Sequence, residues 1–174
     1  RRLSTWPSKK CQTALLWALS ERHLPVARVL VDRGANVQQG SKAGFTPLMM
    51  AARFGQQDAA AFLLDKGAPI NAVAADGTSA LLVAVLRGQT DLALYLLAKG
   101  ADAKNDNAGY TALHWAAGKW ESGMTHDYPE SDAEEWKYLN GVVAKKPELI
   151  NALLQHGADI NARLKKNPPR YGIH

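Results

Sequence analysis

The apolar positions of this chain form short clusters that return in a fixed order. Leu48, with the small Ala51 and Ala52, precedes a denser cluster at Phe62-Leu63-Leu64, and Gly67 follows. The same order runs from Leu15 and Ala18 through Val29-Leu30-Val31 to Gly34. It runs again from Leu81 and Ala84 through Tyr95-Leu96-Leu97 to Gly100, and from Leu113, Ala116 and Ala117 through Leu153-Leu154 to Gly157. Each of these glycines is followed by alanine. The first three Gly-Ala pairs lie 33 residues apart; 57 residues separate the third from the fourth. A fixed period of this length predicts stacked structural repeats, and the broken gap marks where the chain departs from them.

Local chemistry predicts two helices per unit. Thr46 is placed to cap the first helix with its hydroxyl. Pro47 suits the first helical turn, where no N–H partner is lost. Leu48, Ala51 and Ala52 share a face whose small residues let helices approach closely. Asp58 stands near the start of the second helix, favourable to its dipole. Gly67 stops that helix as a left-handed C-terminal residue, and residues 68–72 are expected to run back extended. One such unit cannot bury both helix faces; stacking builds the continuous core. The expected fold is an all-α solenoid of four stacked helix-pair repeats with loop fingers, at about 11–40, 41–73, 74–105 and 106–162.

This pattern resembles the ankyrin repeat family. The resemblance is carried by Thr46-Pro47-Leu48, by Thr111-Ala112-Leu113-His114 and by the alanine pairs. It is also carried by the unit ends Gly34-Ala35-Asn36-Val37, Gly67-Ala68-Pro69-Ile70-Asn71-Ala72 and Gly157-Ala158-Asp159-Ile160-Asn161-Ala162. It spans roughly residues 11–118 and 147–162. It implies antiparallel helix pairs, finger-like loops and a concave face that binds proteins. The first unit departs from it, with Cys11 at the finger glycine position and Arg22 where other units have a mid-unit glycine. The third unit has Ser79-Ala80 for Thr-Pro.

The fourth unit is longer. Leu48 and Leu81 each stand 19 residues before their terminal glycine, whereas Leu113 stands 44 before Gly157. About 25 residues are therefore inserted between its helices, at about 119–145; insertions of this kind map to one face. Trp120, Met124, His126, Tyr128, Trp136, Tyr138 and Leu139 make the stretch too apolar for a tether. Ser131 and Glu134 read as a capping box for a helix over about 132–140, stopped by Gly141. The expectation is an ordered lid whose aromatic residues pack back on the stack near Trp115, with one edge open to a partner. The insertion and the Asn167-Pro168-Pro169-Arg170 tail look more like bacterial ankyrin-repeat proteins, some of them exported. The compartment stays open between cytoplasmic and exported.

Composition narrows the function classes. The 174 residues are 47% hydrophobic, as in an ordered chain, and no apolar run approaches the roughly 18 residues that span a bilayer. The chain opens on Arg1-Arg2 without a charged-then-apolar leader, and the expectation is a trimmed piece of something longer. Cys11 is the single cysteine, read as a packing residue, so an intrachain disulfide is excluded. The net charge is +5, unevenly spread. Residues 1–33 carry seven Lys/Arg against two acids, and residues 119–136 carry Lys119 against six acids. Basic ends around an acidic patch do not make the continuous basic stripe of a nucleic-acid binder. The tail from Lys165 reads as extended and basic, because Pro168-Pro169 removes two backbone donors. The stack shows no polar capping helix after Gly157. Either a tail or partner covers its last pair, or further repeats once followed; the second is favoured.

No nucleophile elbow, phosphate loop or dinucleotide fingerprint is present, and the reading is non-enzymatic. His114 is expected to be a structural hydrogen-bonding residue. His126 with Asp127, Glu130 and Asp132 offers mixed nitrogen and oxygen donors, but without a metal-binding spacing, so neither cofactor nor metal is expected. The expected function is protein–protein interaction, as an adaptor or a subunit of a larger assembly. The alternatives are a small-ligand or metal-binding domain built on the insertion, and a purely structural spacer. Candidate partner-binding residues from the repeat register, expected to be exposed, are Lys42, Phe45, Arg53, Asp76, Thr78, Arg87, Asn107, Tyr110 and Lys119. Phe45, Thr78 and Tyr110 are expected to form a ladder along one edge. The insertion adds Trp120, Tyr128 and Trp136, since aromatic and arginine side chains are common interface anchors.

Overall fold

Four hydroxyl side chains start the first helix of four successive pairs. Thr13, Thr46, Ser79 and Thr111 each accept a hydrogen bond from the backbone N–H three residues on, at 3.2–3.3 Å. The computed structural model describes residues 13–118 and 145–165. Within them the helices are α1 (Ala14–Ser20), α2 (Leu24–Asp32), α3 (Pro47–Arg53), α4 (Gln57–Asp65), α5 (Ala80–Leu86), α6 (Thr90–Ala98), α7 (Ala112–Ala117) and α8 (Lys146–Gln155). Each cap satisfies an N–H that the helix itself leaves orphaned, worth about 1 kcal/mol.

The Gly-Ala pairs end the second helices. Gly67 has φ 84°; its N–H donates to the Leu64 carbonyl and the Ala68 N–H donates to that of Leu63, both at 2.9 Å. The same pair of bonds closes α2, α6 and α8 at Gly34, Gly100 and Gly157. Glycine takes the left-handed position without strain and the alanine after it turns inward, buried at Ala68, Ala101 and Ala158. The dipeptide is thus a helix stop followed by a core residue. The return segment 68–72 is not uniformly extended as expected: it turns at 70–71, where the Ala72 N–H reaches back to the Pro69 carbonyl.

The first helices stand in a row. α3 packs on α1, α4 and α5, and α5 packs on α3, α6 and α7. α8 pairs with α7 and also touches α6. The two helices of the last pair are thus brought together across residues 118–145, where the other pairs have only 21–23, 54–56 and 87–89 between their helices. One apolar core runs through the stack, from Leu15, Leu16 and Leu19 through Leu48, Leu63, Leu81 and Leu96 to Leu149 and Leu153.

Candidate protein-interaction surface

The fingers between pairs are tight turns. In one, the Ser41 N–H donates to the Phe45 carbonyl; in the next, the Ala74 N–H donates to that of Thr78. The Ala75 N–H then donates to the Ala43 carbonyl at 3.0 Å and ties the two fingers together. Gly77 lies hard against the following finger: a Cβ there would stand 2.2 Å from the Asn107 carbonyl carbon. Asp76 accepts from the Thr78 N–H and Asn105 from the Asn107 N–H, both at 3.0 Å, so short polar side chains hold the loop ends. At the opposite ends of the pairs, the Asn71 side chain bridges to the next unit, donating to the Gly100 carbonyl and accepting from the Asp102 N–H. These bonds fix each finger relative to its neighbour.

The expected site residues divide sharply. Lys42, Asp76 and Asn107 are exposed near the finger tips. Arg53 and Arg87, at the ends of α3 and α5, are half-buried, and the Arg53 guanidinium lies 5.2 Å from the centre of the Phe54 ring. Phe45, Thr78 and Tyr110 are not the exposed ladder that was expected: all three are buried. They stand just before the capping residue, where the chain turns from the finger tip back into the core. Tyr110 meets Trp115 edge to face, with centroids 6.1 Å apart. Lys119, Trp120, Tyr128 and Trp136 lie outside the described residues. So do Cys11, the expected lid helix, the proline tail and the alternative metal set of His126, Asp127, Glu130 and Asp132.

The first helices of the central pairs are closed. Every residue from Pro47 to Ala52 and from Ala80 to Val85 is buried. Both segments are apolar on every face, with Met49-Met50 and Leu82-Val83 at positions that amphipathic helices give to polar residues. The open concave face implied by the family resemblance is therefore absent from α3 and α5. At these pairs the accessible polar groups lie on the fingers instead.

His114 has the structural role expected of it. The Thr111 N–H donates to its Nδ1 at 3.1 Å, so Nε2 carries the proton and donates to the Ala162 carbonyl at 3.0 Å. One ring links the start of α7 to the segment after α8. Near the same junction, Lys145 pairs with Asp91 and Lys146 donates to the Gly118 carbonyl. The Asp91 carboxylate, hydrogen-bonded to the Lys145 ammonium, raises its pKa above the ordinary value. Among the described residues, no group of three or more His, Cys, Asp or Glu is placed to hold a metal ion. No described helix is long and apolar enough to cross a membrane.

The family model for ankyrin repeats (3 copies) matches residues 4–74 and 69–124. The chain belongs to the ankyrin-repeat family. Ankyrin repeats generally mediate protein–protein interaction, and the family is typically non-catalytic. No curated protein matches the chain. The ankyrin assignment agrees with the paired helices, the hydroxyl caps and the glycine stops, and it gives the ranked fingers a context. What the sequence reading missed was the Asn71 bridge. An asparagine in a loop looks like an ordinary turn former; only its reach into the next unit reveals its role.

Proposed function

We propose that this ankyrin-repeat chain is a non-catalytic protein-interaction module, an adaptor or a subunit of a larger assembly, that meets its partner with the tips of its fingers. Its repeats fall at about 11–40, 41–73, 74–105 and 106–162, the last carrying an insertion at about 119–145. One observation carries the reading. The fingers are bonded to one another through Ala75 and Ala43 and pressed together at Gly77, while Lys42, Asp76 and Asn107 stay exposed near their tips. A prebuilt row of side chains binds without the entropic cost of ordering loops. Arg53 and Arg87 contribute along the inner edge.

The test uses the full chain as bait in an extract of its source cells, beside a Lys42→Glu/Asp76→Lys/Asn107→Glu variant with unchanged helical circular dichroism. The variant is expected to lose proteins that the unaltered chain retains. Equal recovery by both would place the contact elsewhere and overturn the finger-tip reading.

A further inference from the structure

Among the described residues, the exposed large apolar side chains are Trp17, Val26, Val29, Val73, Ile160 and Leu164. All but Val73 belong to the first helix pair or to the segment after the last. Their repeat register explains them. Trp17 occupies the position of Met50 and Val83, which are 1% and 2% exposed. Val26 occupies that of Ala59, Leu92 and Leu149, and Val29 that of Phe62; all four are buried. Pairs that have a preceding pair bury these positions, and the first described pair leaves them open. Around Trp17 and Val26 an open groove is lined by Ala14, Ala18, Leu30 and His23. The other end mirrors this. Ile160 is 72% exposed, whereas Val37 and Ala103 at the same register position are buried.

We infer that two copies of this chain associate end to end, the α1/α2 face of one seated on the α7/α8 end of the other. The junction continues the interface that already joins successive pairs within the chain, with apolar surface on both sides. Its polar groups also fit in register. Within the chain, the Gln56 side chain donates to the Leu19 carbonyl of the preceding pair at 2.7 Å. At the junction, His23 takes the place of Gln56 and the Ala117 carbonyl that of Leu19, so a donor again meets an acceptor. Lys66 pairs with Asp32 of the preceding unit; at the junction Arg33 takes the place of Lys66 and Gln155 that of Asp32, and no like charges are forced together. The contact is head to tail and leaves one face free at each end, so association is open-ended rather than limited to a dimer.

Sedimentation velocity on the full chain, from micromolar to near-millimolar concentration, tests this. The weight-average mass is expected to rise with concentration. Val26→Glu/Val29→Glu blocks one end and Ile160→Glu/Leu164→Glu the other; all four side chains are exposed, so folding is spared, and circular dichroism verifies it. Each variant alone is expected to stay monomeric, and an equimolar mixture to stop at a dimer. An unaltered chain that stays monomeric throughout overturns the inference. So does an Ile160→Glu/Leu164→Glu variant that still dimerises, because that outcome means face-to-face pairing of the α1/α2 ends. Finger-tip variants leave this readout unchanged, so failure here is distinct from failure of the proposed function.

Discussion

Gly67 and Gly77 both hold φ at 84°, yet they answer to different constraints. Around Gly67 a Cβ would meet no atom within 4 Å, whereas at Gly77 it would strike the Asn107 and Ala108 backbone. Left-handed strain alone costs a residue with a side chain about 1–2 kcal/mol. Gly67→Ala is therefore expected to cost about 1 kcal/mol, and Gly77→Ala at least about 2 kcal/mol, because the fingers must also part. Urea denaturation of both variants checks the ordering; equal losses would mean that the two fingers are not in contact. Sequence reasoning identified Gly67 as a stop from its place after an apolar cluster. The constraint on Gly77 comes from a chain segment some thirty residues away and leaves no local mark. Phe45, Thr78 and Tyr110 teach the same lesson. Their shared register was legible, but whether that register faces solvent depends on where the finger folds back.

The helices themselves were largely legible. Thr46, Pro47 and Asp58 stand at the positions their chemistry predicted, and the hydroxyl cap recurs at Thr13, Ser79 and Thr111. Such signals act within one turn, so a single sequence displays them. Arg22 shows a departure that the stack tolerates. It holds φ at 58°, where Gly55 and Gly88 serve the neighbouring pairs, and its guanidinium lies 5.7 Å from the centre of the Phe54 ring. The last pair depends on tertiary contacts more than the others, because residues 118–145 separate its helices. His114 spans that junction. Replacing it with alanine removes the bonds to Thr111 and Ala162 and is expected to lower stability by about 1–3 kcal/mol. Hydrogen exchange of residues 158–165 should accelerate with it. An unchanged urea midpoint would show that the ring bears no load at the junction.

Across the whole molecule, burial is graded along the stack. α3 and α5 have packed neighbours on both sides, while α1, α2 and α8 do not. Stability in such an array sums local units and nearest-neighbour interfaces. In dilute solution the amides of α3 and α5 are expected to exchange slowest, and those of α2 and α8 to open at lower free energy. Native-state hydrogen exchange at increasing urea reads this directly; uniform protection from α1 to α8 would mean a single cooperative block. At concentrations where chains join end to end, protection of α1 and α2 should rise selectively.

The amino-acid sequence alone determined the repeat period, the start and stop of most helices and the family, because capping, left-handed glycine and apolar spacing are short-range effects written locally. The tertiary structure decided which faces remain open. It closed the inner helices of the central pairs, turned three finger residues inward and left the terminal apolar positions uncovered. The physical reason is that identical register positions are buried or exposed according to whether another pair stands beside them.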